Sequence, residues 1–293
     1  MSKTPLKNGL PAVATFSIVA VDVKTGEIGV AVQSKFLAVG AVVPWVKAGA
    51  GAIATQSWAN TTYGPKGLQL LEQGLQPEEV IVQLTADDPD KESRQVGVVD
   101  MLGRSATFTG KDCFDYAGGI AGPGFAAQGN ILAGTGVVDG LVKGIQSEGS
   151  LPDRLLYALS LAQEAGGDKR GMQGAALYVA KQGAGYGGFN DRYIDLRVDD
   201  NPSPIEELKR LLALQRLYFG RTAPEDRLQL TGETLQEIRD LLRAHGYAAG
   251  TGADYDQATR HSLQAYFLTE NFDDRWTDEP VIDRLVLEFM RKF

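Results

Sequence analysis

The apolar pattern starts at Thr15. In TFSIVAVD, Phe16, Ile18 and Ala20 alternate with Ser17, Val19 and Val21, and both sets suit burial. That predicts a strand inside a sheet. Lys24-Thr25-Gly26 is a turn, and Ile28, Val30 and Val32 continue as the returning strand of a hairpin. A second apolar run, Val39 to Val46, ends at Lys47, and Ile53 to Ser57 forms a further short strand. Two helices should follow, one entered at Tyr63-Gly-Pro65 and stopped at Gly74, the next opened by Gln76-Pro77 and carrying Val80, Ile81 and Leu84. Strands are expected at Arg94–Asp100 and Ser105–Thr109. Another lies in the second part of the glycine-rich stretch Tyr116 to Asn130, with Gly129-Asn130 as its turn. Val137–Ile145 and Leu151–Ala165 read as helices. Ala175–Ala180 and Tyr193–Val198 read as closing strands around the glycine-rich turn Gly183 to Asn190.

Pairs of helices alternating with groups of strands do not fit a doubly wound parallel sheet. They fit an α+β fold, two antiparallel sheets with helices outside. The break Asp199-Asp200-Asn201-Pro202-Ser203-Pro204 marks a domain boundary. Beyond it come a leucine-rich helix from Ile205 to Phe219, a capping box Thr234-x-x-Glu237 opening Leu235–His245, and a helix Tyr255–Phe267 capped by Asp254 or Asp256. A last helix runs from about Val281. The expected division is a leader over 1–14, an α+β domain over 15–200 and a small all-α domain over 205–293.

Composition removes several function classes. A net charge of −8 opposes non-specific nucleic-acid binding, and no apolar run approaches a membrane span. The single cysteine, Cys113, excludes an internal disulfide and suits a reducing compartment. The leader has no apolar core ahead of Ala12-Val13-Ala14, so a cytoplasmic location is expected. The two histidines, His245 and His261, both fall in the C-terminal part. A serine–histidine relay or a histidine zinc site is therefore excluded from the first domain. No metal or cofactor is expected.

What remains for hydrolysis without histidine is a threonine that uses its own α-amine as base. The free amine titrates near ~7.7–8.0, and a nearby cation lowers it. Thr15 begins a strand, Lys47 is a candidate cation, and Gly129-Asn130 is a candidate oxyanion donor.

Resemblance adds to this reading. TFSIVAVD, GVAVQSKFLAVGAVVPW, GAIATQSWAN, RQVGVVD, QGNILAG, GGDKRGMQGAAL and GYGGFNDRYIDLRVDD, spread over about 14–212, resemble the DUF1028 family. That family is similar to the N-terminal-nucleophile (Ntn) hydrolases, whose fold is a four-layer αββα sandwich like that of proteasome β-subunits. The resemblance implies Thr15 as nucleophile, Lys47 near the active-site lysine, Asn130 at the oxyanion and Asp168 supporting the amine. Ser34, Gln56, Asn60, Arg170 and Asp191 would then line the substrate. The implied reaction is hydrolysis of an amide in a small molecule or acylated metabolite, in a homo-oligomer. Here fourteen residues precede Thr15, and without their removal it has no free amine. LLRAHGYAAGTGADYDQATRHSLQAYF, within about 225–293, resembles a peptidoglycan-binding-like helical domain, which implies a glycan or peptidoglycan fragment as partner. Two other classes fit the same residues: a non-catalytic binding scaffold and a self-assembling structural protein.

Overall fold

The computed structural model describes residues 15–220 and 222–292, with the backbone of 6–7 and 10–11. Of the expected leader, Leu6–Lys7 pairs antiparallel with Leu10–Pro11, and the rest lies outside the described residues. The chain divides into two compact units at Leu211/Leu212. This point is inside a helix, not at the proline break.

In the first unit, β1 (Thr15–Asp22) and β2 (Glu27–Ser34) form the centre of a six-stranded antiparallel sheet. Its other strands are β7 (Gly118–Gly122), β8 (Phe125–Asn130), β9 (Gly174–Ala180) and β10 (Arg192–Val198), in the order β10-β9-β2-β1-β8-β7. A second sheet contains β3 (Pro44–Lys47), β4 (Gly51–Ser57), β5 (Arg94–Asp100) and β6 (Ser105–Thr109), in sequence order. The sheets touch face to face through β1, β4, β5 and β8. Helices α1 (Tyr63–Glu72) and α2 (Pro77–Ala86) pack on the four-stranded sheet. Helices α3 (Gly136–Ile145) and α4 (Leu151–Glu164) pack on the six-stranded one.

These contacts explain the sequence pattern. β1 is buried on both faces, so it reads as a nearly unbroken apolar run. Val19, Val21, Val30 and Val32 meet Val46, Ala52, Ala54 and Val99 in one apolar cluster. The run Val39–Val46 is not one strand. A 3-10 turn at Val39–Ala41 precedes β3. Asn130 is not a turn residue either: it is the buried last residue of β8, in register with Thr15.

Gly64 in α1 has no room for a side chain, because a Cβ there would overlap the Trp45 ring. Gly64→Ala is expected to lower stability by about 1–3 kcal/mol from overpacking, outweighing a helix-propensity gain of about 1 kcal/mol. A denaturant midpoint equal to or above that of the unaltered chain would contradict this packing.

The second unit is mostly helical. After the end of α5 (Pro204–Phe219) it holds α6 (Gly232–Ala244), α7 (Gln257–Thr269) and α8 (Arg284–Met290). It is not all-α, since β11 (Arg227–Gln229) pairs with β12 (Val281–Asp283) just where the last helix was expected to begin. Thr231, not Thr234, is the N-cap of α6. Asp256 caps α7 by accepting from the Thr259 amide. Leu235, Ile238, Leu263, Phe267, Phe272 and Val286 build its core. No helix among the described residues is long and apolar enough to cross a membrane.

Candidate functional site

Thr15 leads β1 and is fully buried. Its hydroxyl donates to Ser34 Oγ at 3.1 Å. The same end of the two sheets carries a seam of amides and hydroxyls. Ser17 donates to Gln56 Oε1 at 2.5 Å and accepts from Gln128 Nε2 at 2.7 Å. Gln56 Nε2 reaches Gln95 Oε1 at 2.8 Å and the Thr15 carbonyl at 3.3 Å. Asn130 Nδ2 also donates to Gln95 Oε1, at 3.0 Å. Gln95 Nε2 closes the seam on the Gly129 carbonyl at 2.8 Å and Thr109 Oγ1 at 2.9 Å. Gly97 is a glycine because the Gln128 carboxamide occupies the space a Cβ would need. All these glutamines are fully buried, so each bond replaces one lost to water.

Asp168 closes the outer side of this end. Its buried carboxylate accepts from the backbone amides of Lys35 and Arg170, both at 2.8 Å, and from the Arg170 guanidinium at 2.9 Å. It is thus anchored one residue from Ser34, held by Lys35 and Arg170 rather than by the Thr15 hydroxyl, which donates to Ser34. The Lys35 ammonium donates to the Met172 carbonyl at 3.3 Å.

Thr15, Ser34, Gln56, Asn130, Asp168 and Arg170 therefore converge. Lys47 does not join them. β3 runs antiparallel to β4, so Lys47 pairs with Gly51, while Gln56 at the other end of β4 touches Thr15. Five residues of strand, roughly 17 Å, separate the two ends. Lys47 instead forms a partly exposed ion pair with Glu72 at 2.5 Å. Asp191 lies at that far end with Lys47, both lining one cavity.

Asn60 belongs to a third place. Asp88 accepts from Asn60 at 3.0 Å, Tyr63 at 2.8 Å and Arg94 at 3.0 Å, beside a cavity of about 450 Å³ between α1 and α2. Burial works against the Asp88 charge, but hydrogen bonds from Arg94, Asn60 and Tyr63 hold its carboxyl well below the usual carboxylate range. Burial, with Asp88 beside it, pushes the Tyr63 phenol above its own. Because the folded pKa is depressed, this stabilisation is complete above the ordinary aspartate value of ~3.9 and is lost as pH falls below it. Asp88→Asn is expected to cost about 2 kcal/mol at pH 7, with the gap to the unaltered chain narrowing in acid. Denaturant titrations at both pH values test it, and a pH-independent gap would refute the electrostatic origin.

Cys113 is buried and donates to the Arg94 carbonyl at 3.4 Å. Burial pushes its thiol up, opposed by a hydrogen bond with Ser57, so it is a poor nucleophile. Sequence reasoning missed Ser17, Gln95 and Gln128. The available signal was one glutamine in each of β4, β5 and β8, among positions that are mostly small or apolar. Among the described residues no cluster of three or more metal-ligating side chains occurs.

Fold and site together define a class: an antiparallel double-sheet α+β unit with a strand-leading threonine above a closed amide seam, followed in the chain by a helical unit. A family model described as "Family of unknown function (DUF1028)" matches residues 15–208, and the chain belongs to that family. A second model, described as "Putative peptidoglycan binding domain", matches residues 218–290. A crystal structure of a DUF1028 protein from Silicibacter pomeroyi is similar at 30% identity and a TM-score of 0.63, covering 76% of this chain and 92% of that one. No curated protein matches the chain.

Proposed function

We propose that the chain is the latent form of an Ntn-type amide hydrolase with Thr15 as nucleophile. The observation that carries this reading is the position of Thr15. It is the first residue of an inner strand, its hydroxyl is 3.1 Å from Ser34, and it is in register with Asn130. Helix pairs on the outer faces of two apposed sheets support a four-layer αββα sandwich of the Ntn kind. Among the described residues the hydroxyl's side-chain partner is Ser34, which is no base, and the seam below contains no titratable group. The base is therefore the Thr15 nitrogen, once the Ala14–Thr15 bond is cleaved.

In the mature form the Thr15 amine takes the hydroxyl proton as Oγ1 attacks the amide carbonyl. One Nδ2–H of Asn130 is held by Gln95, and the other is the amide donor for the developing oxyanion. Collapse expels the amine leaving group, which takes up that proton, and leaves a threonyl ester. Water then hydrolyses the ester, returning the acid and free Thr15. Lys35 and Arg170 supply positive charge at this end, the role expected of Lys47. The substrate class is an amide of a small molecule or acylated metabolite, and the helical unit adds glycan or peptidoglycan binding.

Intact-mass measurement of protein from its own host, before and after an amine-reactive and a hydroxyl-reactive electrophile, tests the proposal. A species starting at Thr15, labelled at that residue, is the expected result. A chain that keeps Met1 and hydrolyses amides would overturn the α-amine mechanism. One that keeps Met1 and hydrolyses none favours a binding scaffold, which the full burial of Thr15 and Ser34 also suits.

A further inference from the structure

The end of the sheets away from Thr15 carries a second recess of about 440 Å³, within the range of small-molecule sites. Val46, Ala48 and Ala180 line it with apolar surface, while Lys47, Tyr178, Asn190, Asp191 and Arg192 supply polar groups. The Arg192 guanidinium lies 5.7 Å from the Tyr178 ring centre. Beside the recess stands the loop 181–190. Its base is pinned where Lys181 donates to the Asp191 carbonyl at 2.9 Å and Gly183 to the Asp191 carboxylate at 2.9 Å. Gly185 donates to the Asn190 carbonyl at 2.8 Å, so the loop closes on itself.

This pinned loop displays two aromatic side chains. Phe189 is 90% exposed and Tyr186 76%. Phe189 directly precedes Asn190, which lines the recess. The Phe189 ring lies against Gly187, where a Cβ would collide with it. The ring thus rests on its own loop, and little else covers it.

We infer that this recess and its loop form a saccharide-binding site, distinct from the Thr15 end. A sugar ring has an apolar face and a rim of hydroxyls. The exposed Phe189 ring on the flanking loop and the apolar side chains lining the recess suit the face. A carboxylate, a carboxamide and two cations within one recess suit the rim, since adjacent hydroxyls both donate and accept. The buried core of a protein interface is by contrast depleted of charge, whereas this recess contains three charged side chains. Asp191 and the overall charge of −8 disfavour a polyanion. The match of residues 218–290 to a peptidoglycan-binding description points independently to glycans. The inference does not rest on the hydrolase reading.

The test uses the full chain with three soluble trisaccharides: chitotriose, cellotriose and maltotriose. Calorimetry is combined with hydrogen exchange. At least one sugar should bind, and binding should slow exchange across 178–193. Phe189→Ala should weaken it about tenfold, and Lys47→Ala by a smaller factor. Both side chains are exposed or half-exposed, so both variants should keep the unaltered melting temperature. Binding that survives both substitutions, with no protection of 178–193, overturns the site and assigns the sugar elsewhere. No binding of any trisaccharide at ~10 mM, well above a 1 mM dissociation constant, overturns it too. So does a Phe189→Ala variant that instead dissolves an assembly of the chain, which would make the loop a self-association surface.

Discussion

A chain whose first residue is Thr15 is expected to hydrolyse its amide substrate at least about a thousandfold faster than the same chain carrying Thr15→Ala. The 293-residue form beginning at Met1 should be inactive. The difference lies in one nitrogen. In the long form it is a peptide amide and cannot accept a proton. In the short form it is a primary amine with an ordinary pKa of ~7.7–8.0. Activity should therefore rise with pH to a plateau as the amine loses its proton, and a cation close by would move that rise to lower pH. Lys35, whose ammonium is at this end of the sheet, is the residue to vary for that shift. Thr15→Ser should keep a measurable part of the rate, since it keeps both hydroxyl and amine. The chain can be released at Thr15 by cutting a removable fusion placed directly before it. If that form is silent on a broad panel of amides while it folds and melts like the long form, the nucleophile assignment fails.

The sequence made β1 and β2 legible because burial on both faces leaves a continuous apolar signature, and the turn Lys24-Thr25-Gly26 fixes their pairing. It also put Thr15 at the head of a strand. It could not place Lys47. A one-dimensional pattern shows where an apolar run stops but not which end of a sheet that stop occupies. The turn between β3 and β4 takes Lys47 to the end opposite Thr15. Asn130 looked like a turn residue because Gly-Asn is a turn pair. Its side chain is instead drawn inward by Gln95 on the opposing sheet, a partner 35 positions away. The same distance hid the amide seam, since its glutamines bond to residues on other strands and not to their sequence neighbours. The two-stranded ribbon of the helical unit was hidden likewise, because β11 and β12 are three residues each and lie far apart in sequence.

Replacing Gln95 by alanine is expected to cost about 3–5 kcal/mol, the range for emptying a large buried site. That is a large part of the 5–15 kcal/mol that holds a typical domain together. Gln95 accepts from Gln56 and Asn130 and donates to Thr109 and to the Gly129 and Gly118 carbonyls, so alanine leaves all five without that partner, three of them in fully buried bonds. Gln95→Leu restores the volume but not the bonds. If packing dominates, leucine should recover most of the loss. If hydrogen bonding dominates, leucine should be nearly as damaging as alanine, because the orphaned groups remain. The saturated bonding around Gln95 favours the second outcome. A double-mutant cycle with Gln56→Leu sharpens the test. Removing both glutamines removes a donor together with its acceptor, so the pair should cost less than the sum of the single changes. Additive costs would mean the seam is a set of independent contacts. Strong coupling would make it one cooperative unit that fixes the register of β1 and β8 on β4 and β5, and so sets where the Thr15 hydroxyl is held.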